Sequence, residues 1–182
     1  VLGTLLSVAL TLLAAYPLSR EDLRGGKVFM ALFLFTMMFS GGLIPTYLLV
    51  KNLGLVNTMW AVILPGSVSA YNVIVARTFF RQNIPQELLE AAKVDGCSDF
   101  RFFMSIVIPL SMPIVAVLAL WVAVGLWNSY FNPMIYLNSE NRYTLQLILR
   151  RIILMSQVNL SSSNIDPARI AENQYLSEML KY

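Results

Sequence analysis

The 182-residue chain contains no histidine and a single cysteine, Cys97. Those two facts exclude Ser-His-Asp and Cys-His catalysis, His-ligated zinc, an internal disulfide and a Cys-cluster metal site. There is no G-x-x-x-x-G-K-[ST] loop, since the one Gly-Lys pair, Gly26-Lys27, is followed by Val28. ATP is therefore not bound by a P-loop. Charge is scarce too: 13% of residues are Asp, Glu, Lys or Arg, against roughly 25% in soluble domains. The scarcity is concentrated. Residues 1–19, 28–50, 52–76 and 102–139 carry no charged side chain, and a bilayer-spanning helix needs about 20 mostly apolar residues. A soluble enzyme is excluded.

The four stretches predict four spanning helices in an all-α membrane bundle. Segment one runs from about Val1 to Leu18, and the basic residues follow its apolar run instead of preceding it, which argues against a signal peptide. Segment two, Val28 to Val50, contains Ser40-Gly41-Gly42 and Pro45, which permit close helix packing or a kink. Segment three, about Thr58 to Phe80, contains Pro65-Gly66 and the polar run Ser67, Ser69, Tyr71, Asn72. Segment four, about Phe103 to Trp127, is interrupted by Pro109 and Pro113. An amphipathic helix is expected over Thr144 to Gln157, with Leu145, Ile148, Leu149, Ile152 and Ile153 at helical spacing.

Lys and Arg set the orientation. The 20–27 loop holds three and the 77–101 stretch four, while the 51–57 loop holds one. The first two therefore belong on the cytoplasmic side and the segment 128–182 on the other. A pI near 9.1 reflects this anchoring and not nucleic-acid binding.

The cytoplasmic stretch 83–104 carries the clearest local signal. Pro85 suits the first position of a helix, and Glu87 falls in its first turn, where the helix dipole favours a carboxylate. Gln86 to Lys93 are mostly good helix formers. Gly96 permits the left-handed conformation that ends a helix, and Ser98 or Asp99 suits the cap of the next. The expected object is a helix–Gly–helix elbow joined rigidly to segment four, with small residues, Ala91 and Ala92, that let another surface approach.

Glu90-Ala91-Ala92, then three residues to Gly96, nine more to Ile106, and finally Ile108-Pro109 reproduce the pattern E-A-A-x-x-x-G-x(9)-I-x-[LI]-P. This resembles the cytoplasmic loop of permease subunits of binding-protein-dependent ABC importers, the MetI-like fold. The stretch from Gly125 through Trp127-Asn128 and Asn132-Pro133 to Leu137, with Tyr143-Thr144-Leu145 after it, resembles the carbohydrate-uptake branch. So does the turn from Ser19-Arg20 to Gly25-Gly26. The resemblance covers most of residues 1–182. Members continue into one more span after a stretch like Tyr175 to Lys181, so the chain reads as a core domain trimmed at both ends.

The resemblance implies a multi-pass inner-membrane permease for sugars or oligosaccharides, not itself an enzyme and without a cofactor. Its partners would be ATP-binding subunits that hydrolyse ATP, a second permease subunit, an extracytoplasmic solute-binding protein and membrane lipid, with no nucleic acid. It also assigns ATPase coupling to Glu90, Ala91, Ala92, Asp95, Gly96, Ile106 and Pro109. For the solute path or docking, Tyr71, Asn72, Trp127, Asn128 and Asn132 supply aromatic faces and amides. Interfacial anchoring equally suits Trp127 and Tyr130, and interhelical hydrogen bonding suits Asn72. Two alternatives stand beside this reading: a permease for a non-sugar solute, and an ion-coupled secondary transporter. The latter needs ionisable groups within its spans, and the four stretches hold none.

Overall fold

The computed structural model describes residues 1–162, Tyr175 and Met179. The expectation of a further span after Tyr175 to Lys181 lies outside them. Among the described residues all regular structure is helical. The elements are α1 (Leu2–Ser19), α2 (Gly26–Met38), α3 (Leu43–Asn52), α4 (Met59–Ile63) running into a 3₁₀ turn (Leu64–Gly66), and α5 (Ala70–Asn83). Then come α6 (Gln86–Val94), α7 (Asp99–Phe102), a π-helical turn (Phe103–Val107), α8 (Ile108–Leu110), α9 (Met112–Asn128), α10 (Phe131–Tyr136) and α11 (Leu145–Ser162).

Among the described residues only α1 is by itself long and apolar enough to cross a membrane. The expected segments two, three and four are each bent: α2 and α3 by 111°, α4 and α5 by 53°, and the α7–α8 stretch and α9 by 80°. Four crossings result if each bent pair counts as one span. The breaks have local causes. Segment two breaks at Ser40-Gly41-Gly42 and not at Pro45, because Gly42 adopts φ 85, ψ 175, a region essentially reserved for glycine. Pro45 sits in the first turn of α3, where its missing N–H costs nothing. Segment three breaks after Pro65-Gly66, with Ser67 and Val68 outside any helix. Segment four breaks at Ser111, which leaves Pro113 in the first turn of α9.

The core joins α1, α5, α9 and the start of the elbow. Val8, Leu12 and Ala15 of α1 pack with Val73, Ala76 and Phe80 of α5, Ile114 and Leu118 of α9, and Ala92, Phe102 and Val107. In contrast, α2 buries no residue, and Val28, Phe29, Leu32, Phe35 and Met38 are exposed. A helix apolar all round is built for lipid or another helix, not for water.

The loops gather at two ends. Arg77 Nε donates to the Leu18 carbonyl at 2.8 Å, so α1 and α5 finish together beside the elbow. At the other end Gly3 approaches Leu126 and Ile63. There Asn57, at φ 62, ties the α3–α4 loop to the α10–α11 loop. Its Oδ1 accepts from the Asn138 and Ser139 N–H groups, its Nδ2 donates to Ser139 Oγ at 2.9 Å, and its carbonyl accepts from Arg142.

Candidate functional site

The elbow forms as the local sequence dictates. Ile84 precedes a proline, which disfavours the helical region, and it is extended at φ −117, ψ 97, ending α5. Pro85 is the N-cap of α6, one residue earlier than expected, with ψ 147. Asp95 closes α6, its N–H donating to the Ala91 carbonyl. Gly96 follows at φ 71, and Ser98 caps α7 by accepting from the Arg101 N–H.

The expected coupling residues divide into two faces. Glu90, Ala91, Asp95 and Gly96 are exposed, and Glu90 accepts a hydrogen bond from Gln86 at 3.1 Å. Ala92 is not available to a docking partner as expected: it is buried in the chain's own core, where a larger side chain would push α6 outward. Ile106 lies in the π-helical turn and packs against the same core, and Pro109 is exposed in α8. Between the elbow and α9 stand a π-helical turn and an 80° bend at Ser111, so the two are not one straight helix.

Sequence reasoning missed the group that holds the elbow. Arg20, 14% exposed at its side chain, forms two parallel bonds to Asp22 (Nε–Oδ1 2.9 Å, Nη2–Oδ2 2.6 Å) and a third to Asp99 Oδ1 at 2.8 Å. Arg81 pairs with Glu21 at 2.7 Å and Lys93 approaches Asp22 at 3.8 Å. The Arg20 guanidinium holds the Asp22 carboxyl below its usual range, and the hydrogen bonds that Arg20 donates to Asp22 and Asp99 in turn raise its own pKa. Beneath these ion pairs the Tyr16 ring lies 4.9 Å from Phe103 and 6.3 Å from Phe80. A cavity of about 370 Å³ opens between Arg20, Ile84, Leu89 and Glu90. The available signal was the charge in the 20–22 turn and at Asp99, but Arg20 and Asp99 lie 79 residues apart and only folding makes them neighbours.

The expected solute-path residues are not brought together. Tyr71, near the start of α5, lies beside Trp121 of α9, ring centroids 6.0 Å apart, and Asn72 next to it is half-buried. This pair adjoins the break after Pro65-Gly66. Trp127 and Asn128 lie at the exposed end of α9, and Asn132 follows in α10, half-buried. Arg150 of α11 lies over the Tyr130 ring at 4.1 Å, and Arg151 pairs with Glu140. Trp121 was missed because it reads as one more apolar residue of a spanning helix.

Residues 6–167 match the family model described as "Binding-protein-dependent transport system inner membrane component". Among similar proteins, the polygalacturonan/rhamnogalacturonan transport system permease protein YtcP of Bacillus subtilis (strain 168) is 49% identical over 86% of this chain and 54% of its own length. Protein LplC of the same organism is 43% identical over 91% of this chain and 55% of its own. The arabinooligosaccharides transport system permease protein AraQ of Halalkalibacterium halodurans is 34% identical over 81% and 53%. The chain thus spans about half the length of these relatives. A crystal structure of a bacterial ABC transporter involved in import of the acidic polysaccharide alginate matches with a TM-score of 0.80 and 30% identity, over 93% of this chain and 58% of that one.

Proposed function

The chain belongs to the family of binding-protein-dependent transport system inner membrane components, and on that basis we propose that it is the permease core of an ATP-driven importer of oligosaccharides in the bacterial-type plasma membrane. The observation that carries this reading is the elbow itself: Glu90, Ala91, Asp95 and Gly96 stand exposed on a two-helix projection from the end of the bundle. In this reading the projection seats in a separate ATP-hydrolysing subunit, Glu90 contacting a basic or polar group there while the Ala91 methyl permits close approach. A second permease subunit packs on the apolar faces left open, including α2. An extracytoplasmic binding protein delivers the solute to the opposite end, around Trp127, Asn128 and Asn132.

The sugar class is supported by what similar permeases are named for. The unwound backbone after Gly66, beside Tyr71, Asn72 and Trp121, supplies an aromatic face, amides and free carbonyls of the kind that line solute paths in broken spans. Reconstituting the full-length permease with its partners in vesicles tests the reading. Oligosaccharide uptake is expected to require enclosed ATP and to survive collapse of the proton gradient. Uptake driven by an ion gradient without ATP would overturn it.

A further inference from the structure

The elbow is tied to α1 through space as well as joined through the chain to the span that follows it. Toward α9 the path crosses a π-helical turn and the 80° bend, where the buried Ser111 hydroxyl has no partner among the described residues. Toward α1 the path is short and polar: one guanidinium, mostly shielded from water, bridges Asp22 of the α1–α2 turn and Asp99 of the first turn of α7. The bidentate bonds to Asp22 fix the orientation of the guanidinium within the α1–α2 turn, so that its remaining Nη1 makes one directed hydrogen bond to the exposed carboxylate of Asp99 on the elbow. Stacking of Tyr16 on Phe103 backs the ion pairs with apolar contact. The same α1 then packs along α5 and α9 to the far end of the bundle, where Gly3 meets Leu126.

We infer that Arg20 is the positioning residue through which displacement of the elbow reaches the spans, its bonds to Asp22 and Asp99 making the elbow and α1 move as one body. The inference rests on the proposal that the elbow docks on an ATPase. It assigns α1, and not the covalently continuous α9, as the first helix to be moved. Arg20→Gln keeps the straight stem and an amide donor near the Nε position but removes the charge and the Nη groups that reach Asp99, so the elbow remains folded while its tie to α1 loosens.

The test uses the full-length permease in its assembled transporter, in vesicles. Arg20→Gln and Asp99→Asn are expected to co-purify with the ATPase at wild-type levels and to hydrolyse ATP, while solute taken up per ATP hydrolysed falls about fivefold or more. The charge exchange Arg20→Asp with Asp99→Arg, in which the new arginine faces Asp22 as well, is expected to recover most of that ratio. Wild-type uptake per ATP in both single variants would overturn the inference, as would a loss that tracks loss of assembled complex and is not recovered by the exchange. A second measurement is independent of transport. Spin labels at Leu13 and Val94, in a Cys97→Ser background, should give one narrow distance with and without a non-hydrolysable ATP analogue, broadened by Arg20→Gln. An equally narrow distance in Arg20→Gln would overturn the clamp, even if wild-type uptake proved independent of ATP and the functional proposal fell.

Discussion

Gly96 and Glu90 lie six residues apart on the same elbow, and their side-chain requirements differ in kind. Nothing lies within 4 Å of where a Gly96 Cβ would stand, so space does not restrict the position. Its φ of 71 does, because left-handed backbone costs an L-residue roughly 1–2 kcal/mol, least for Asn and more for a β-branched side chain. Gly96→Asn should therefore keep uptake, and Gly96→Val should lower thermal stability in detergent by about 2 kcal/mol or more and abolish uptake. Glu90 is exposed and bonded only to Gln86 among the described residues. Reversing its charge should change stability by no more than about 0.5 kcal/mol, yet Glu90→Lys should abolish uptake because the wrong charge meets the ATPase. Uptake assays beside thermal melts of the same preparations check both. Normal uptake by Glu90→Lys would remove that residue from the docking face.

At the scale of elements, the bends decide what the spans can do. The helix α2 has 13 residues, about 20 Å at 1.5 Å per residue, which is short of the roughly 30 Å hydrocarbon thickness. It ends at Met38 with Phe39 extended, and the break closes at Gly42, the N-cap of α3, whose φ 85, ψ 175 only glycine adopts without strain. The expected cost of Gly42→Ala is about 1–3 kcal/mol of stability. Because nothing crowds a Cβ there, that cost is conformational and Gly42→Ser should share it. Thermal unfolding of the two variants against Gly41→Ala, at an unstrained glycine, measures the difference. Equal melting of all three would mean that the chain does not hold this break in its folded state.

For the whole molecule, two tied ends define a polarity. Arg20, Arg81 and Lys93 with their carboxylates collect at one end, and Asn57 with Ser139 and Arg142 at the other. From the excess of Lys and Arg in the 20–27 and 77–101 segments we propose that the first end faces the cytoplasm. Cysteines placed singly at Arg24 and at Asn138, in a Cys97→Ser background, test this with a membrane-impermeant thiol reagent applied to intact cells. Position 138 should label and position 24 should label only after lysis. The reverse pattern would invert the orientation and take the elbow away from any cytoplasmic ATPase.

The sequence by itself determined the class: charge-free stretches of about 20 residues or more admit only a membrane bundle. It also determined the elbow, because Pro85, Gly96 and Ser98 act through local backbone preferences that need no distant neighbour. Hydropathy could not locate the bends inside segments two, three and four, since an apolar run reads alike whether its helix is straight or broken. Tertiary structure alone decided that Ala92 faces inward, that Tyr71 lies beside Trp121, and that Arg20 reaches Asp99, 79 residues away. Ion pairs and packing of that kind depend on which helices become neighbours, and no local pattern encodes that.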